Sequence, residues 1–250
     1  MPVTAAKAAG TATPAAKAAG TALRQLKQPV QSGRVSLPPN TMSDSTLDYC
    51  LAHTSPLGPV LHDLERETHL RTLGPQMLSG EYQGQLLRFL SLMIRPKRVL
   101  EIGTFTGYAA LCMAEGLADG GVLHTIEAND ELGWLIQKYI QQAGMAHKIV
   151  LHLGDASEVV PTLDEVFDLV FLDAGKLDYP EHYEMALAKM SPGGFLLADN
   201  VLWDGKVASG NERDETAGAL RAFNNFVHQD ERVENLLLPL RDGLMVVRKK

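Results

Sequence analysis

The 250-residue chain has two cysteines, Cys50 and Cys112, too few and too far apart for a disulfide framework. Both lie in apolar-periodic segments, which fits a reducing cytoplasm. No run approaches the ~20 uncharged apolar residues of a membrane span, so an integral membrane protein is not expected. A positive excess is missing as well: the net charge is −7, where a general nucleic-acid binder would carry a basic face. Acids are absent from residues 1 to 43, whose charged residues are Lys7, Lys17, Arg24, Lys27 and Arg34, so the remainder holds −12. That first segment repeats AAKAAGTA at 5 to 12 and 15 to 22 and has no apolar face able to bury itself. It reads as a low-complexity basic tail without a fold of its own. It also lacks the continuous apolar centre of a secretory signal, whereas an organelle transit peptide shares its acid-poor composition and stays open as an alternative.

Beyond the tail the composition is that of a globular domain, and one domain over 44 to 250 is expected. Apolar positions at helical spacing mark 46 to 54, 60 to 70 and 81 to 94, with Pro56 and Pro59 breaking between the first two. Five strand-like runs follow at 98 to 103, 123 to 128, 149 to 156, 167 to 174 and 194 to 200, separated by helical segments at 108 to 118, 131 to 144, 157 to 166 and 179 to 190. Strands alternating with helices predict right-handed βαβ units: an α/β fold with a parallel sheet covered on both faces. A further helix is expected over 216 to 230. ENLLLPLRDGLMVVRKK then reads as two strands about a turn at Asp242-Gly243, an antiparallel closing pair.

Each of the five parallel runs finishes near an acid: Glu101, Glu127, Asp155, Asp173 and Asp199. In a parallel sheet these ends share one edge, where open α/β sheets bind ligands. One such acid is an ordinary helix cap, but buried unpaired charge is costly, so five together should face a polar ligand, a metal or water. VLEIGTFTGY (99 to 108) is strand, glycine loop and helix start, with Gly103-x3-Gly107 in place of the G-x-G-x-x-G of a dinucleotide site. Glu101 disfavours a pyrophosphate there and suits a positively charged ligand such as S-adenosylmethionine. Glu127 is placed to accept hydrogen bonds from both ribose hydroxyls. Asp173, Asp199 and Asn200 are oxygen donors without His or Cys, a set for Mg²⁺, Mn²⁺ or Ca²⁺ rather than zinc. Lys176, three residues after Asp173, pairs with an acid or, beside a divalent ion, serves as a base.

VLEIGTFTGY, IEAND, GDA, FLDAGKLDY, LADNVLWDGKV and LPLRDGLMVVRKK together resemble the cation-dependent O-methyltransferases of the caffeoyl-CoA and catechol type, over about residues 44 to 250. The resemblance implies a seven-stranded Rossmann-like methyltransferase fold and a homodimer. It implies methyl transfer from S-adenosylmethionine to one hydroxyl of a vicinal aromatic diol, a small molecule. It puts the metal on Asp173, Asp199 and Asn200 and the base on Lys176. Cofactor contacts fall on Met77, Ser79, Glu101, Gly103, Thr104, Ala109, Glu127, Asp155, Ala156 and Asp173. Two positions depart from the family pattern: Gly175 stands where members often carry Asp, and Asp204 where plant members carry Asn. Asp204 would repel an anionic acyl-CoA, which favours a small catechol-like acceptor. Tyr179 and Trp203 either wall that acceptor or cover the sheet edge. His62 and His69 are read as surface or packing residues, and 211 to 216 as a substrate-side loop or a polar turn. The alternatives are an NAD-dependent oxidoreductase on a related sheet and a non-catalytic cofactor-binding protein.

Overall fold

The structure, a computed structural model, describes residues 44–209 and 214–250. The expected tail over 1 to 43 and positions 211 to 213 of the expected loop lie outside them. Three helices lead in: α1 (Asp44–Ala52), α2 (Pro59–Arg71) and α3 (Gly80–Ile94). Then β1 (Arg98–Ile102), α4 (Tyr108–Ala114), β2 (Val122–Glu127), α5 (Gly133–Gln142), β3 (Ile149–Leu153), α6 (Ala156–Thr162), β4 (Phe167–Leu172), α7 (Tyr179–Ala188) and β5 (Met190–Ala198) alternate as the periodicity predicts. A short α8 (Lys206–Ser209), α9 (Glu215–His228), β6 (Val233–Leu238) and β7 (Leu244–Lys249) complete the order.

The strands form one seven-stranded sheet in the order β3-β2-β1-β4-β5-β7-β6. β1 to β5 pair in parallel, and β7 runs antiparallel between β5 and β6. The expected α/β fold with an antiparallel C-terminal strand is therefore borne out. β6 is attached to the sheet through β7, although it comes first in the chain.

Strand side chains alternate between the two faces, so each central strand feeds two cores. Leu100, Ile102, Ile126, Val170 and Leu172 join Tyr179, Tyr183 and Phe223 on one face. Val99, Leu123, Leu169, Phe171 and Leu197 join Leu64, Leu87 and the wholly buried α4 on the other. Glu101 has the parity of Val99 and so points beneath α4.

The boundaries differ from the sequence reading in instructive places. β5 begins at Met190 rather than Gly194: Pro192 and Gly193 look like breakers, but a register irregularity between Phe167 and Leu169 lets Met190 pair before the main ladder resumes at Phe195. The expected helix over 131 to 144 opens as a 3₁₀ turn, Asp130–Leu132, before α5. The parallel strands also stop earlier than the apolar runs. Asp155, Asp173 and Asp199 consequently lie in loops beyond the strand ends, Glu127 is the last residue of β2, and Glu101 is interior to β1.

Candidate active site at the carboxyl edge of the sheet

The loops leaving β1 to β5 converge on a cavity of about 1020 Å³. Segment 71–77 and Arg241 of the β6–β7 turn contribute to its wall. Gly103 makes this convergence sterically feasible. Its φ is +96°, and a Cβ there would sit 2.0 Å from the Asp173 carbonyl oxygen, so the loops after β1 and β4 touch only because no side chain intervenes.

Met77, Gly103, Glu127, Asp155, Ala156, Asp173, Lys176, Asp199 and Asn200 all line the cavity. Ser79, Thr104 and Ala109 instead line a narrow cleft that shares Met77, Gly103, Phe105 and Asp173 with it. Glu101 lines neither. Its carboxylate accepts a hydrogen bond from Thr125 Oγ1, its partner in the β1–β2 register, and its Oε1 has no partner among the described residues. Burial pushes the Glu101 carboxyl up to about 8, with Asp173 and Glu127 adding like charge, so at neutral pH it is mostly protonated. Glu101, expected as a negative charge that favours a cationic ligand, is thus buried beneath α4 and off the cavity wall.

Glu127 is held by two backbone donors, Phe105 N–H to Oε2 at 2.7 Å and Asn129 N–H to Oε1 at 2.9 Å, and each oxygen keeps a lone pair for a ligand. Asp155 caps α6, accepting from Ser157 N–H at 2.7 Å; the Ser157 hydroxyl and amide hold its carboxyl below the usual range.

The chemistry-bearing end of the cavity is built from β4, β5 and α7. Lys176 Nζ donates to Asp173 Oδ1 at 2.8 Å and to Tyr179 Oη at 2.7 Å, and Tyr179 Oη donates to the Asp199 carbonyl at 2.8 Å. Asp199 is buried. Its Oδ1 accepts from Asn200 N–H at 2.8 Å and its Oδ2 from Gln83 Nε2 at 2.6 Å. Burial and then the neighbouring Asp173 charge push its carboxyl up to about 6. Asn200, Trp203 and Asp204 all have positive φ, which concentrates backbone strain in the loop after β5.

Tyr179 is fully buried and supports Lys176, so it does not wall an acceptor; Trp203 does line the cavity. Asp204 is exposed and absent from the lining, and its amide donates to Asp242. Asp204 is therefore a neighbour of the lining residue Trp203 and not part of the cavity wall. Gln83 and Arg241 were not singled out from sequence. A polar residue at a buried position of α3 was the available signal for Gln83, while a turn arginine carries none.

A family model described as O-methyltransferase matches residues 52–250. The chain belongs to the O-methyltransferase family. The O-methyltransferase is 36% identical to mouse catechol O-methyltransferase domain-containing protein 1, the match covering 80% of this chain and 78% of the mouse protein. It is 31% identical to caffeoyl-CoA O-methyltransferase 2 of Zea mays, over 100% and 99%. Among solved structures, Podospora anserina methyltransferase PaMTH1, bound to SAH, is similar with TM-score 0.79 and 27% identity over 88% of this chain and 100% of that one. The O-methyltransferase TomG of Streptomyces achromogenes, in complex with SAM, gives TM-score 0.74 and 28% identity over 82% and 96%. Family membership weighs against both alternatives, the dehydrogenase and the non-catalytic binder.

Proposed function

We propose that this O-methyltransferase moves a methyl group from S-adenosylmethionine to one hydroxyl of a small vicinal aromatic diol, with a divalent cation held by Asp173, Asp199 and Asn200. The observation that carries it is the Asp199 carboxylate, its proton affinity raised by burial and then by Asp173 beside it, at the end of a cavity that also holds Lys176. Among the described residues no three His, Cys, Asp or Glu side chains converge as a cation site. The donor set is two carboxylates and an amide, all hard oxygen ligands, and a cation would relieve the repulsion between the two acids. The residues present therefore fit Mg²⁺, Mn²⁺ or Ca²⁺. When bound, such an ion lowers the pKa of a coordinated hydroxyl.

S-adenosylmethionine supplies an electrophilic methyl group. Glu127 is the residue to receive its ribose hydroxyls, and Met77, Ser79, Gly103, Thr104, Ala109, Asp155 and Ala156 complete its surroundings. Lys176 Nζ is the group to take the acceptor's hydroxyl proton; Tyr179 Oη and Asp173 Oδ1 fix where that nitrogen sits. Trp203 offers an aromatic wall, and positioning in the cavity provides most of the acceleration. Acids outnumber bases on the lining, with Glu131, Asp178 and Glu181 beyond those already named and Arg71, Lys176 and Arg241 opposing them, which favours an uncharged diol over an acyl-CoA. A homodimer, a cytoplasmic setting and a methyltransferase domain over 44 to 250 belong to the same proposal.

The test is a methyl-transfer assay on catechols and caffeoyl-CoA, each after EDTA treatment and again with Mg²⁺. Methylation of catechols that is lost with EDTA and restored by Mg²⁺ is expected. Full activity after EDTA would overturn the cation assignment.

A further inference from the structure

Three segments distant in sequence meet behind Asp199. Arg241, in the turn between β6 and β7, donates from Nη1 to Gln83 Oε1 at 2.6 Å and to the Ser79 carbonyl, and from Nη2 to the Leu78 carbonyl at 3.3 Å. Gln83 in turn donates from Nε2 to Asp199 Oδ2 at 2.6 Å. The turn itself is stitched to the loop after β5 by Leu202 N–H to Asp242 O at 2.8 Å and Val201 N–H to Gly243 O at 3.1 Å.

The order of these groups is chemically directed. A guanidinium only donates and a carboxylate only accepts, so an amide between them has one satisfactory orientation, oxygen to Arg241 and nitrogen to Asp199. Gln83 is 1% exposed, so no water can replace a lost partner cheaply. Without Arg241 the amide would lose the group that dictates its orientation, and the turned amide would set oxygen against carboxylate. The same guanidinium gathers the carbonyls of Leu78 and Ser79, at the start of α3 and on the wall of the cleft.

We infer that Arg241 is a positioning residue that orients Asp199 through Gln83 and, with the same fork, anchors the 78–79 segment, so that one side chain sets both ends of the site. The Asp199 half rests on the cation assignment above; the anchoring half stands on the contacts alone. Lysine cannot reproduce the fork, because an ammonium on a flexible stem does not fix the three carbonyl oxygens at once.

The inference is tested on the full chain by calorimetric titration with Mg²⁺ and by hydrogen exchange at residues 78 to 83, for Arg241→Ala, Arg241→Lys, Gln83→Met and the double variant Arg241→Ala with Gln83→Met. Arg241→Ala is expected to weaken Mg²⁺ binding about 10-fold, the scale on which groups behind metal ligands act. It should also speed exchange at 78 to 83 about 10-fold. Gln83→Met should weaken Mg²⁺ similarly while leaving exchange at 78 and 79 near wild type, and the double variant should bind Mg²⁺ no worse than either single one. Arg241→Lys should restore less than half of either loss. Wild-type Mg²⁺ affinity in Arg241→Ala, or additive losses in the double variant, would overturn the relay. If the wild-type protein itself binds no Mg²⁺, the cation assignment fails instead; unchanged exchange in Arg241→Ala would then overturn the anchor.

Discussion

The Lys176 nitrogen is tetrahedral and has two fixed acceptors, Asp173 Oδ1 and Tyr179 Oη, which leaves a direction toward the cavity in which it can exchange a proton. Methionine at this position keeps the stem and removes the proton-accepting nitrogen. Lys176→Met is expected to lower kcat by a factor of about 10²–10⁴, the range for losing a general base, while the affinity for SAH measured by calorimetry stays within about twofold. Turnover equal to wild type would assign the proton to another group. Lys176 and Asp173 were legible from sequence because their spacing and their place after an apolar run are local facts. The part played by Tyr179 was not, because a tyrosine three residues on is equally suited to a wall or to a buried support. Only the burial of its ring and the hydrogen bonds of its hydroxyl with Lys176, Leu172 and Asp199 decide between them.

Among the elements, the strand-to-loop junctions carry the site, and the β1 junction tolerates least. Gly103 combines a left-handed φ with backbone contact to Asp173, two independent objections to a side chain. Gly103→Ala is expected to destabilise the fold by roughly 3 kcal/mol or more, read from urea unfolding, and to abolish SAH binding in whatever protein remains folded. Strand identity and order were legible here because buried parallel strands advertise themselves as apolar runs between helical periods. Strand ends were not: an acid directly after the last paired residue and an acid one residue inside the end of the ladder look the same in a string. Glu101 and Asp173 exemplify the pair. One is buried under α4 with its carboxyl pushed up, and the other lines the cavity, a difference set by pleat parity and by where hydrogen bonding stops. Arg241 and Gln83, 158 residues apart, meet only through the position of β7 in the sheet.

For the whole molecule, the buried Glu101 carboxyl makes stability depend on pH. Its folded value of about 8 lies above its ordinary carboxylate value of 4.5, so between these pH values the folded state binds more protons than the unfolded one. Stability contributed by this group is therefore complete below pH ~4.5 and declines as pH rises to ~8, by on the order of 4–5 kcal/mol at most. Glu67, whose hydrogen bonds from Lys138 and Tyr139 hold its carboxyl down, acts oppositely and loses its contribution as pH falls. Glu101→Gln is expected to flatten the decline between pH 5 and 8 in a series of chemical-denaturation curves while leaving the acid limb in place; an unchanged slope would show that Glu101 titrates normally.

The placement of β7 has a temporal consequence. A ribosome delivers β6 before β7, yet nothing in the finished sheet can receive β6 until β7 has threaded between it and β5. The segment with Leu236 and Leu237 therefore enters the sheet only in company with β7, as the outer arm of the hairpin the two strands form.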